Sequence, residues 1–461
     1  MQIERWKKVY LIGIKGVGVV ALAKILKGLG IEVVGSDIQE KFFTDEVLKK
    51  EKIKYYEGFN KENLKKELPV DAVISSVAFL LPSSNNEEVA YAKKLKIPLL
   101  SYPQALALIF NQSFGIAICG SHGKSSTTAV LGKIFQDLGY DPTVLVGSEV
   151  IEWQSNSRVS KNFQEKIKFL KENEEKLKNL SWLKKNLKNL PLFIIEADEY
   201  RDAFLNYFPR IIIITNVDYD HPDYFKNYQS YLKSYLKFIK NLKEPKILIT
   251  HKNFPFQKNT LHLKVKKINT NFPFPIPGKH FQQNLSLLNC LRKFLSLPFS
   301  KFLKSLKNYK GIRRRFEIIK KTKRLTFIDD YAHHPNEVFS FYQSLKIKFK
   351  RYKKILIFQP HTFTRLHFLF DEFSEIFKKI KKDKKTKVLI LKTFPSAREK
   401  EILIKIKKLK TDKELAKKLN LDYFENFEDL AKFLKEKIKK GRWVLASIGA
   451  GDVYKIFDFL K

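Results

Sequence analysis

The chain has 461 residues, too many for one ordinary core, and this length predicts about three domains. Hydrophobic residues make up 44%, enough to bury several cores and to exclude bulk disorder. The net charge of +40 comes from 88 basic and 48 acidic residues, and the lysines are spread over nearly the whole chain. Because no RNA-binding aromatic signature or zinc-finger spacing accompanies them, we expect lysine-rich solvated faces and no nucleic-acid partner.

The chain contains two cysteines, Cys119 and Cys290, both in apolar surroundings. Two cysteines cannot form a disulfide framework or a cysteine-rich zinc site, so we expect a cytoplasmic, reducing environment. No apolar stretch has the length that a spanning helix needs, which predicts no stable membrane insertion.

The first stretch alternates short apolar runs with helical patterns. The run VYLIGI predicts a strand, GVVALAKILKGLG a helix after a glycine turn, and IEVVGSD, DAVISSVA and IPLLS further strands. Alternation of strands and helices predicts a parallel sheet with crossover helices. We therefore expect a Rossmann-like α/β domain over residues 1–103.

A second unit, predicted over residues 104–307, opens with the apolar run FGIAIC, a glycine turn and a helical pattern. The runs PLFIIEAD and PRIIIITNVD predict two more buried strands. These features indicate a central α/β domain of the P-loop type. Residues from about 160 to 190 are lysine-rich and helical in pattern, and we interpret them as an inserted, exposed hairpin of helices.

The third unit, predicted over residues 308–461, repeats the first pattern. Its strands are predicted at LTFIDD, KKILIFQP, TKVLILKT and RWVLASIGA, with amphipathic helices between them. This is again a Rossmann-like, mainly parallel sheet flanked by helices. In open parallel sheets the ligands bind at the carboxyl ends of the strands, so we expect the chemistry at those ends.

The segment GSHGKSST fills residues 120–127, between a predicted strand and a predicted helix. Backbone N–H groups in a glycine turn at a helix N-terminus cradle phosphate oxygens. Lys124 adds a positive charge for the β and γ phosphates, and the Ser125 hydroxyl can bind Mg²⁺. The segment is a variant of the P-loop pattern G-x-x-x-x-G-K-[ST]. Its first glycine, Gly120, lies two residues nearer to the Gly-Lys pair than in that pattern. The predicted nucleotide contacts of this turn are Gly120, Ser121, His122, Gly123, Lys124, Ser125 and Ser126.

Two predicted strands end in acidic residues beside this loop. The segment EADEY closes one of them at residues 196–200, and NVDYDH closes the next at 216–221. Glu196 is the preferred metal carboxylate, because it ends a buried run where a bare charge is costly without a cation. Two acidic strand ends next to a phosphate loop predict a nucleotide-bound Mg²⁺.

The motifs GSHGKSST, EADEYRDAFL, TNVDYDHPDY, PGKHFQQN, GIRRRFE, DDYAHHPNE, FQPHTFTR and SIGAGD resemble, in this order, those of the Mur ligase family. The resemblance runs from Gly13 to about Asp452 and leaves the lysine-rich insert unmatched. It implies an ATP-dependent ligase of peptidoglycan precursor synthesis that acts through an acyl phosphate. The implied substrates are UDP-N-acetylmuramate and L-alanine, the cofactors are ATP and Mg²⁺, and we expect a monomer or a weak homodimer.

The resemblance also implies residue roles. Lys124, Glu196, His221 and His333 form the implied catalytic set, and Ser125, Glu196 and His221 the metal ligands. Further ATP contacts are implied for His280, Asn284 and Arg315, with Phe281 in place of the usual asparagine. The implied UDP-sugar contacts are Gly13, Gly16, Gly18, Ser36, Asp37, Ser75, Ser76, Asn156, Ser157 and Arg158, and Lys15 replaces a common glycine in position to touch a phosphate.

In the third domain, the resemblance assigns Tyr331, His333, His361 and Arg365 to the sugar carboxylate and the incoming amino acid. Of the adjacent histidines, we favour His333 as functional, and His334 is then the capping or structural residue. Thr362 stands where some relatives have arginine.

Three alternatives stay open from the sequence. The same family could include a recycling ligase that adds a preformed peptide to the UDP-sugar. A basic, nucleic-acid-dependent P-loop ATPase would explain the charge and Lys124, but it assigns nothing to the HH, FQPH and RRR motifs. A dehydrogenase that uses the first glycine turn would leave the phosphate loop without a role, and it ranks last.

Overall fold

The computed structural model describes residues 3–81, 84–221, 224–251, 260–269, 271–395, 399, 403–404, 406 and 408–460. The chain divides into two compact units, one of Met1–Pro275 with Gln282–Lys310 and one of Ile276–Phe281 with Gly311–Lys461. In the described residues, the first unit holds two sheets and the second unit holds one. These mainly parallel, helix-flanked sheets confirm the predicted fold class, and the three domain boundaries stay predictions.

The first sheet contains β1 (Lys8–Ile12), β2 (Glu32–Asp37), β3 (Lys54–Glu57), β4 (Ala72–Ser75) and β5 (Leu99–Ser101). Its order is β3-β2-β1-β4-β5, and all its pairings are parallel. Its helices are α1 (Val17–Gly28), α2 (Phe43–Lys50), α3 (Lys61–Lys66), α4 (Val77–Leu80), α5 (Glu87–Lys94) and α6 (Tyr102–Phe110). Because β4 and nearly all of β1 are buried, the sheet is covered on both faces, as parallel sheets usually are.

The second sheet contains β6 (Phe114–Cys119), β7 (Thr143–Val150), β8 (Ser155–Arg158), β9 (Leu192–Glu196), β10 (Ile211–Ile214), β11 (Ile247–Thr250) and β12 (Leu261–Lys264). Its order is β12-β11-β10-β6-β9-β7-β8, and β8 runs antiparallel to β7. Its helices are α7 (Lys124–Asp137), α8 (Phe163–Glu172), α9 (Leu180–Asn186), α10 (Tyr228–Lys240), α11 (Lys279–Phe294) and α12 (Phe299–Lys307). Since β6 lies between β9 and β10, the phosphate loop and both acidic strand ends share one edge.

The lysine-rich segment near 160–190 is helical, as predicted, but it is not an exposed hairpin. One side of α8 and α9 is buried, together with the 3-10 turns around them, through Phe163, Leu170, Leu177, Leu183 and Leu187. The Phe163 ring meets the Phe193 ring of β9 edge to face, with centroids 6.0 Å apart. The apolar residues therefore attach the segment to the core of the first unit, and the charged residues form its outer side.

The third sheet contains β13 (Glu317–Lys321), β14 (Leu325–Asp330), β15 (Lys353–Phe358), β16 (Thr386–Leu391), β17 (Asp422–Phe424) and β18 (Trp443–Ile448). Its order is β13-β14-β18-β15-β16-β17, and β13 is antiparallel to β14. Its helices are α13 (Pro335–Lys348), α14 (Phe363–Phe368), α15 (Phe370–Lys381), α16 (Asp412–Leu419) and α17 (Phe427–Lys437). Short 3-10 helices lie at Ile3–Arg5, Glu174–Lys178, Leu187–Asn189, Tyr200–Asn206 and Val453–Phe457.

Among the described residues, no helix combines the length and the apolar character that crossing a membrane requires.

Candidate active site

The loop between β6 and α7 needs glycine at two positions. Gly120 has φ +132° and Gly123 has φ +80°, and α7 begins at Lys124. A Cβ atom on Gly120 would lie 2.1 Å from Thr215 Oγ1, and one on Gly123 would lie 2.4 Å from Asn284 Nδ2. The loop thus has no room for a Cβ at either glycine, and Asn284 of α11, predicted to contact ATP, lies directly against it.

The end of β10 holds this loop in place. The His122 N–H donates to Asn216 Oδ1 over 2.9 Å, and Thr215 Oγ1 donates to the His122 carbonyl over 2.7 Å. The Ser121 hydroxyl lies 2.8 Å from the Tyr231 hydroxyl and accepts the Asp218 N–H. The Ser121 side chain therefore braces the loop, and the contact of Ser121 with the nucleotide stays a prediction. Asn216 belongs to the TNVDYDHPDY motif, but no local pattern indicates Tyr231.

Lys124 forms an ion pair with Glu199, a residue of the EADEYRDAFL motif that has no predicted role of its own. Its Nζ donates to the Gly120 carbonyl over 2.8 Å and to Glu199 Oε2 over 2.9 Å. The Glu199 side chain is fully buried and also accepts the Tyr231 hydroxyl over 3.0 Å. Burial opposes the charge on Lys124, but the nearby carboxylates, Glu199 first, raise its pKa above the ordinary value. Lys124 is therefore a cation at neutral pH.

Glu196 lies at the end of β9 with both carboxylate oxygens engaged. Oε1 accepts the Ser125 hydroxyl over 2.9 Å, and Oε2 accepts the Gly147 N–H over 2.7 Å. A Cβ on Gly147 would lie 2.9 Å from the same carboxylate, so glycine permits this approach. A hydroxyl and a carboxylate beside a phosphate loop are oxygen donors of the kind that Mg²⁺ prefers. These two residues fit the implied metal.

The third predicted metal ligand, His221, lies beside two carboxylates that were not among the predicted ligands, Asp198 and Glu199. One donor atom each from Asp198, Glu199 and His221 falls within 4.8 Å of the others. His221 Nε2 is 3.7 Å from Glu199 Oε1, and its φ of +57° is unusual for a residue other than glycine. The predicted metal ligands therefore fall into two groups. Ser125 pairs with Glu196, whereas His221 lies with Asp198 and Glu199. The only sequence signal for Glu199 was its place in the EADE motif.

The first glycine turn allows close approach of its neighbours. Gly13 has φ +80°, and a Cβ there would lie 2.7 Å from the Phe79 ring. A Cβ on Gly18, in α1, would lie 2.7 Å from the Tyr102 ring. Asp37 ties the turn to β2, because its carboxylate accepts the N–H groups of Lys15 and Ile38 over 2.6 and 2.8 Å. Gly16 closes the turn through its N–H, which donates to the Gly13 carbonyl over 3.1 Å.

Several side chains predicted to contact the UDP-sugar point into the first domain. The Ser36 hydroxyl donates to Glu88, which is fully buried. The Ser75 hydroxyl donates to the carbonyl of Ser76 over 3.0 Å. The Lys15 ammonium, expected near a phosphate, instead donates to the Ile38 carbonyl over 2.9 Å. These polar side chains therefore stabilise the rim of the sheet.

The three residues of β8 that were predicted to contact the UDP-sugar are also engaged or buried within the first unit. Asn156 is fully buried beside the start of α1, and its Nδ2 donates to the Val17 carbonyl over 2.6 Å. Within the described residues, Asn156 Oδ1 and Ser157 Oγ have no hydrogen-bond partner. The Arg158 guanidinium, expected to reach the substrate, donates to the Pro142 carbonyl and pairs with Asp141 at the loop before β7. Its charge is thus used within the second sheet.

In the second unit, the structure groups the four residues assigned to the carboxylate and the amino acid. His333 Nδ1 lies 3.0 Å from the Tyr331 carbonyl, and the His333 and His361 rings are 6.3 Å apart. Arg365 donates to the His361 carbonyl over 3.2 Å. Tyr331 and His333 follow β14, whereas His361 and Arg365 follow β15. The four residues therefore lie together at the carboxyl ends of two strands, and their roles stay predictions.

The neighbouring arginines differ in their contacts. Arg314 donates to Asp329 Oδ2 over 2.8 Å and to the Gly449 carbonyl over 2.6 Å, which gives it a structural role. The Arg315 guanidinium, predicted to contact ATP, lies 5.2 Å from the centre of the Tyr331 ring. His280 belongs to the second unit, and its ring is 4.1 Å from the Phe281 ring.

Two residues of this unit cap helices. The His334 side chain accepts the Asn336 N–H at the start of α13 over 3.3 Å. Thr362 accepts the Arg365 N–H at the start of α14 over 3.3 Å, with φ +69°. His334 is thus the helix-capping member of the histidine pair. Thr362, which stands where some relatives have arginine, holds a strained backbone turn next to His361.

The fold defines a three-domain α/β protein whose second sheet carries a P-loop-type glycine loop between β6 and α7. Family sequence models match most of its length: "Mur ligase family, catalytic domain" at residues 8–114, "Mur ligase middle domain" at 118–272 and "Mur ligase, glutamate ligase domain" at 314–450. The chain belongs to the Mur ligase family.

Among its relatives is the UDP-N-acetylmuramate–L-alanine ligase of Desulfitobacterium hafniense, 30% identical over 97% of this chain and 98% of the relative. The protein of the same name from Borreliella burgdorferi is 31% identical over 98% of both chains. The crystal structure of the UDP-N-acetylmuramate-alanine ligase of Thermotoga maritima superposes with a TM-score of 0.72 at 21% identity, covering 99% of this chain and 98% of that one.

Proposed function

We propose that this protein joins L-alanine to the lactyl carboxylate of UDP-N-acetylmuramate and converts ATP to ADP and phosphate. The full-length similarity to ligases of that name supports the substrates. The observation that carries the chemistry is the position of Lys124, a cation at the first residue of α7, directly after a phosphate loop with glycine at positions 120 and 123. This arrangement is suited to the terminal phosphates of a nucleotide.

The reaction requires two transfers. A lactyl carboxylate oxygen attacks the γ-phosphorus of ATP, which forms an acyl phosphate and releases ADP. The amino group of L-alanine then attacks the acyl carbon, the tetrahedral intermediate expels phosphate, and the amine loses its proton as the amide forms. Because no covalent enzyme intermediate is needed, the protein contributes mainly positioning and charge neutralisation.

In the first unit, Lys124 would pair with the β and γ phosphate oxygens. Ser125 and Glu196 would hold Mg²⁺, which neutralises phosphate charge when bound. Glu199 would set the position of Lys124, since it holds that ammonium through both carboxylate oxygens. His221 would act with Glu199 and Asp198 at a second cation position. Asn284 would contact the nucleotide from α11.

In the second unit, Arg365 would bind a carboxylate, for which a guanidinium is well suited. His333 and His361 would orient the incoming amino acid, and Tyr331 would close the site beside Arg315. Asn156 and the first glycine turn would contact the UDP-sugar in the first unit. The free cysteines, of which Cys119 is buried, are compatible with the cytoplasmic location that we propose.

The test is phosphate release by the purified protein with Mg-ATP and UDP-N-acetylmuramate, with L-alanine, glycine, L-serine or the cell-wall tripeptide added separately. We expect release that requires the UDP-sugar and is fastest with L-alanine. Release with the tripeptide alone would identify a recycling ligase instead. Release that needs DNA or RNA and ignores the UDP-sugar would contradict the ligase assignment.

A further inference from the structure

Tyr231 lies on the buried side of α10, at a position to which the sequence motifs assign no role. Its side chain is fully buried, and its ring meets the rings of Phe225 and Tyr235 edge to face, with centroids 5.0 and 5.2 Å apart. Apolar packing of this kind needs no hydroxyl, and a buried phenol oxygen is costly unless it is hydrogen-bonded. The hydroxyl of Tyr231 must therefore contribute through its hydrogen bonds.

The hydroxyl of Tyr231 contacts three polar side chains at once. It donates to Glu199 Oε1 over 3.0 Å, and it lies 2.8 Å from the Ser121 hydroxyl and 3.1 Å from the Tyr235 hydroxyl. A phenol has one proton and a carboxylate only accepts, so the proton of Tyr231 goes to Glu199. The oxygen of Tyr231 is left as the acceptor toward the two other hydroxyls. Tyr231 thus links the phosphate loop, through Ser121, to the buried carboxylate beside that loop.

The bond from Tyr231 restricts the orientation of the Glu199 carboxylate. Both oxygens face Lys124 Nζ, at 3.1 Å for Oε1 and 2.9 Å for Oε2, and Tyr231 shares Oε1 with that ammonium. The last torsion of a glutamate side chain has no sharp rotamer preference, so hydrogen bonds fix the plane of the carboxylate. Loss of the Tyr231 hydroxyl frees this plane to rotate. A rotated carboxylate would hold the Lys124 ammonium at a different place relative to the phosphate loop.

The helix α10 supports these contacts at more than one point. Ser234, three residues after Tyr231, donates to Asp202 Oδ1, so α10 holds the segment after β9 through two side chains. Asp202 has φ +58°, a conformation that persists in a non-glycine residue only where the surroundings impose it. Ser121 is also fixed from the chain after β10, because its hydroxyl accepts the Asp218 N–H over 2.9 Å. The position of Tyr231 is thereby transmitted to the phosphate loop and to the segment that carries Glu199.

We propose that Tyr231 is a positioning residue for phosphoryl transfer, because its hydroxyl fixes Glu199 and Ser121 together. In this way it sets the place of the Lys124 ammonium relative to the phosphate loop. The inference rests on the proposed ligase function, in which Lys124 pairs with the β and γ phosphates. Because Tyr231 is fully buried, it acts through these partners and not on the substrate. A misplacement of about 1 Å can reduce turnover about a hundredfold, so the loss of this hydroxyl should be visible in the kinetics.

Tyr231→Phe keeps the ring and removes the hydroxyl, and Tyr235→Phe is the matched control. The two tyrosines are one turn apart on α10, and both are fully buried. We expect Tyr231→Phe to lower kcat for UDP-sugar-dependent phosphate release roughly tenfold, the effect of one hydrogen bond to a charged group. The KM for ATP should rise, and the KM values for L-alanine and the UDP-sugar should stay unchanged. Tyr235→Phe should keep native kinetic constants, since Tyr231 can still donate to Glu199.

Thermal melts separate this effect from a loss of folded protein. Each variant removes one buried hydroxyl, so both should melt at similar temperatures, above the temperature of the assay. Partial unfolding would lower the apparent kcat alone, because the molecules that stay folded keep the native KM for ATP. Native kinetic constants in Tyr231→Phe, or equal kinetic losses in the two variants, would overturn the proposal.

Calorimetric titration with the non-hydrolysable analogue β,γ-imido-ATP and Mg²⁺ tests Tyr231 independently of ligation. We expect weaker binding by Tyr231→Phe and native binding by Tyr235→Phe. Equal binding by the native chain and both variants, with UDP-sugar-dependent phosphate release intact, would overturn the role of Tyr231 and leave the ligase function standing. Weaker binding by Tyr231→Phe alone, with no phosphate release by the native chain, would contradict the ligase function and support the role of Tyr231 at the nucleotide.

Discussion

Lys124 Nζ lies 2.9 Å from Glu199 Oε2 and 3.1 Å from Oε1, which joins the start of α7 to the chain after β9. The Glu199 side chain is fully buried, and that of Lys124 is 13% exposed. Two charges so far removed from water depend on each other, because each compensates the desolvation of its partner. The pair therefore connects the stability of the first unit with the position of the lysine proposed to contact ATP.

Glu199→Gln should destabilise the first unit by about 3 kcal/mol, because it leaves the Lys124 cation without its main acidic partner. Glutamine keeps an oxygen that can accept the Tyr231 hydroxyl. The loss of stability therefore measures the effect of removing the negative charge. The measurement is the thermal or denaturant midpoint of the transition that involves the first unit. The double variant with Lys124→Met should recover part of this loss. A double variant as unstable as the sum of the two single variants would show that the pair contributes little coupling.

Lys124→Ala should abolish phosphate release and leave binding of the UDP-sugar intact. The reason is that the lysine lies at the phosphate loop, whereas the proposed UDP-sugar residues surround the first glycine turn. Phosphate release and calorimetric binding of UDP-N-acetylmuramate are measured on the same sample. An active Lys124→Ala variant would show that the phosphate loop is assigned incorrectly.

Glu196→Gln should raise the Mg²⁺ concentration needed for half-maximal phosphate release by about tenfold or more, the effect of losing roughly 1.4 kcal/mol of binding. An amide is a weaker ligand for a hard cation than a carboxylate is, and glutamine can still accept the Ser125 hydroxyl. Glu165→Gln, an exposed change on α8, is the control. A Glu196→Gln variant with an unaltered Mg²⁺ requirement would move the metal to the group of Asp198, Glu199 and His221.

The sheets could be predicted because each buried strand is a short apolar run followed by a turn signal. Parallel topology then places strand ends on one edge, which is why the loop from Gly120 and the segments from Glu196 and Asn216 meet. The hydrogen-bond and ion-pair partners of individual side chains, by contrast, depend on packing between residues that are distant in the sequence. Ser36 donates to Glu88, 52 positions away, and Arg158 turns back to Asp141. No local pattern encodes such pairings.

The choice between two carboxylates of one motif was likewise beyond the sequence. Glu196 and Glu199 are three residues apart, and burial of the preceding strand favoured the first of them. The structure gives each its own partner, Ser125 for Glu196 and Lys124 for Glu199. The chain that follows Glu199 includes left-handed residues at Arg201 and Asp202, with φ of +53° and +58°. Neither is a glycine, so composition gave no warning of this turn.

Substitution of the two adjacent histidines should have different effects, on kinetics for His333 and on stability for His334. His333→Ala should raise the KM for L-alanine and leave the melting temperature unchanged, because its half-buried ring lies between Tyr331 and His361. His334→Ala should cost about 1 kcal/mol of stability through loss of the α13 cap. Steady-state kinetics and thermal melts of both variants are the measurements. A His333 variant that only unfolds would favour a structural role for that residue.

Glu88 should make the first unit less stable as pH rises. Burial raises the pKa of Glu88 above its ordinary value of 4.5, and hydrogen bonds such as those from Ser36 and Tyr10 offset this only in part. A folded-state pKa above the unfolded value means that stability is fully present below about 4.5 and is lost as pH rises through the folded pKa. Glu88→Gln cannot ionise, and its amide can still pair with both hydroxyls. Its melting temperature relative to the native chain should therefore increase from pH 5 to pH 8. Glu87→Gln, on the exposed side of α5, should show no such trend, and an equal trend in both variants would assign the effect to surface charge.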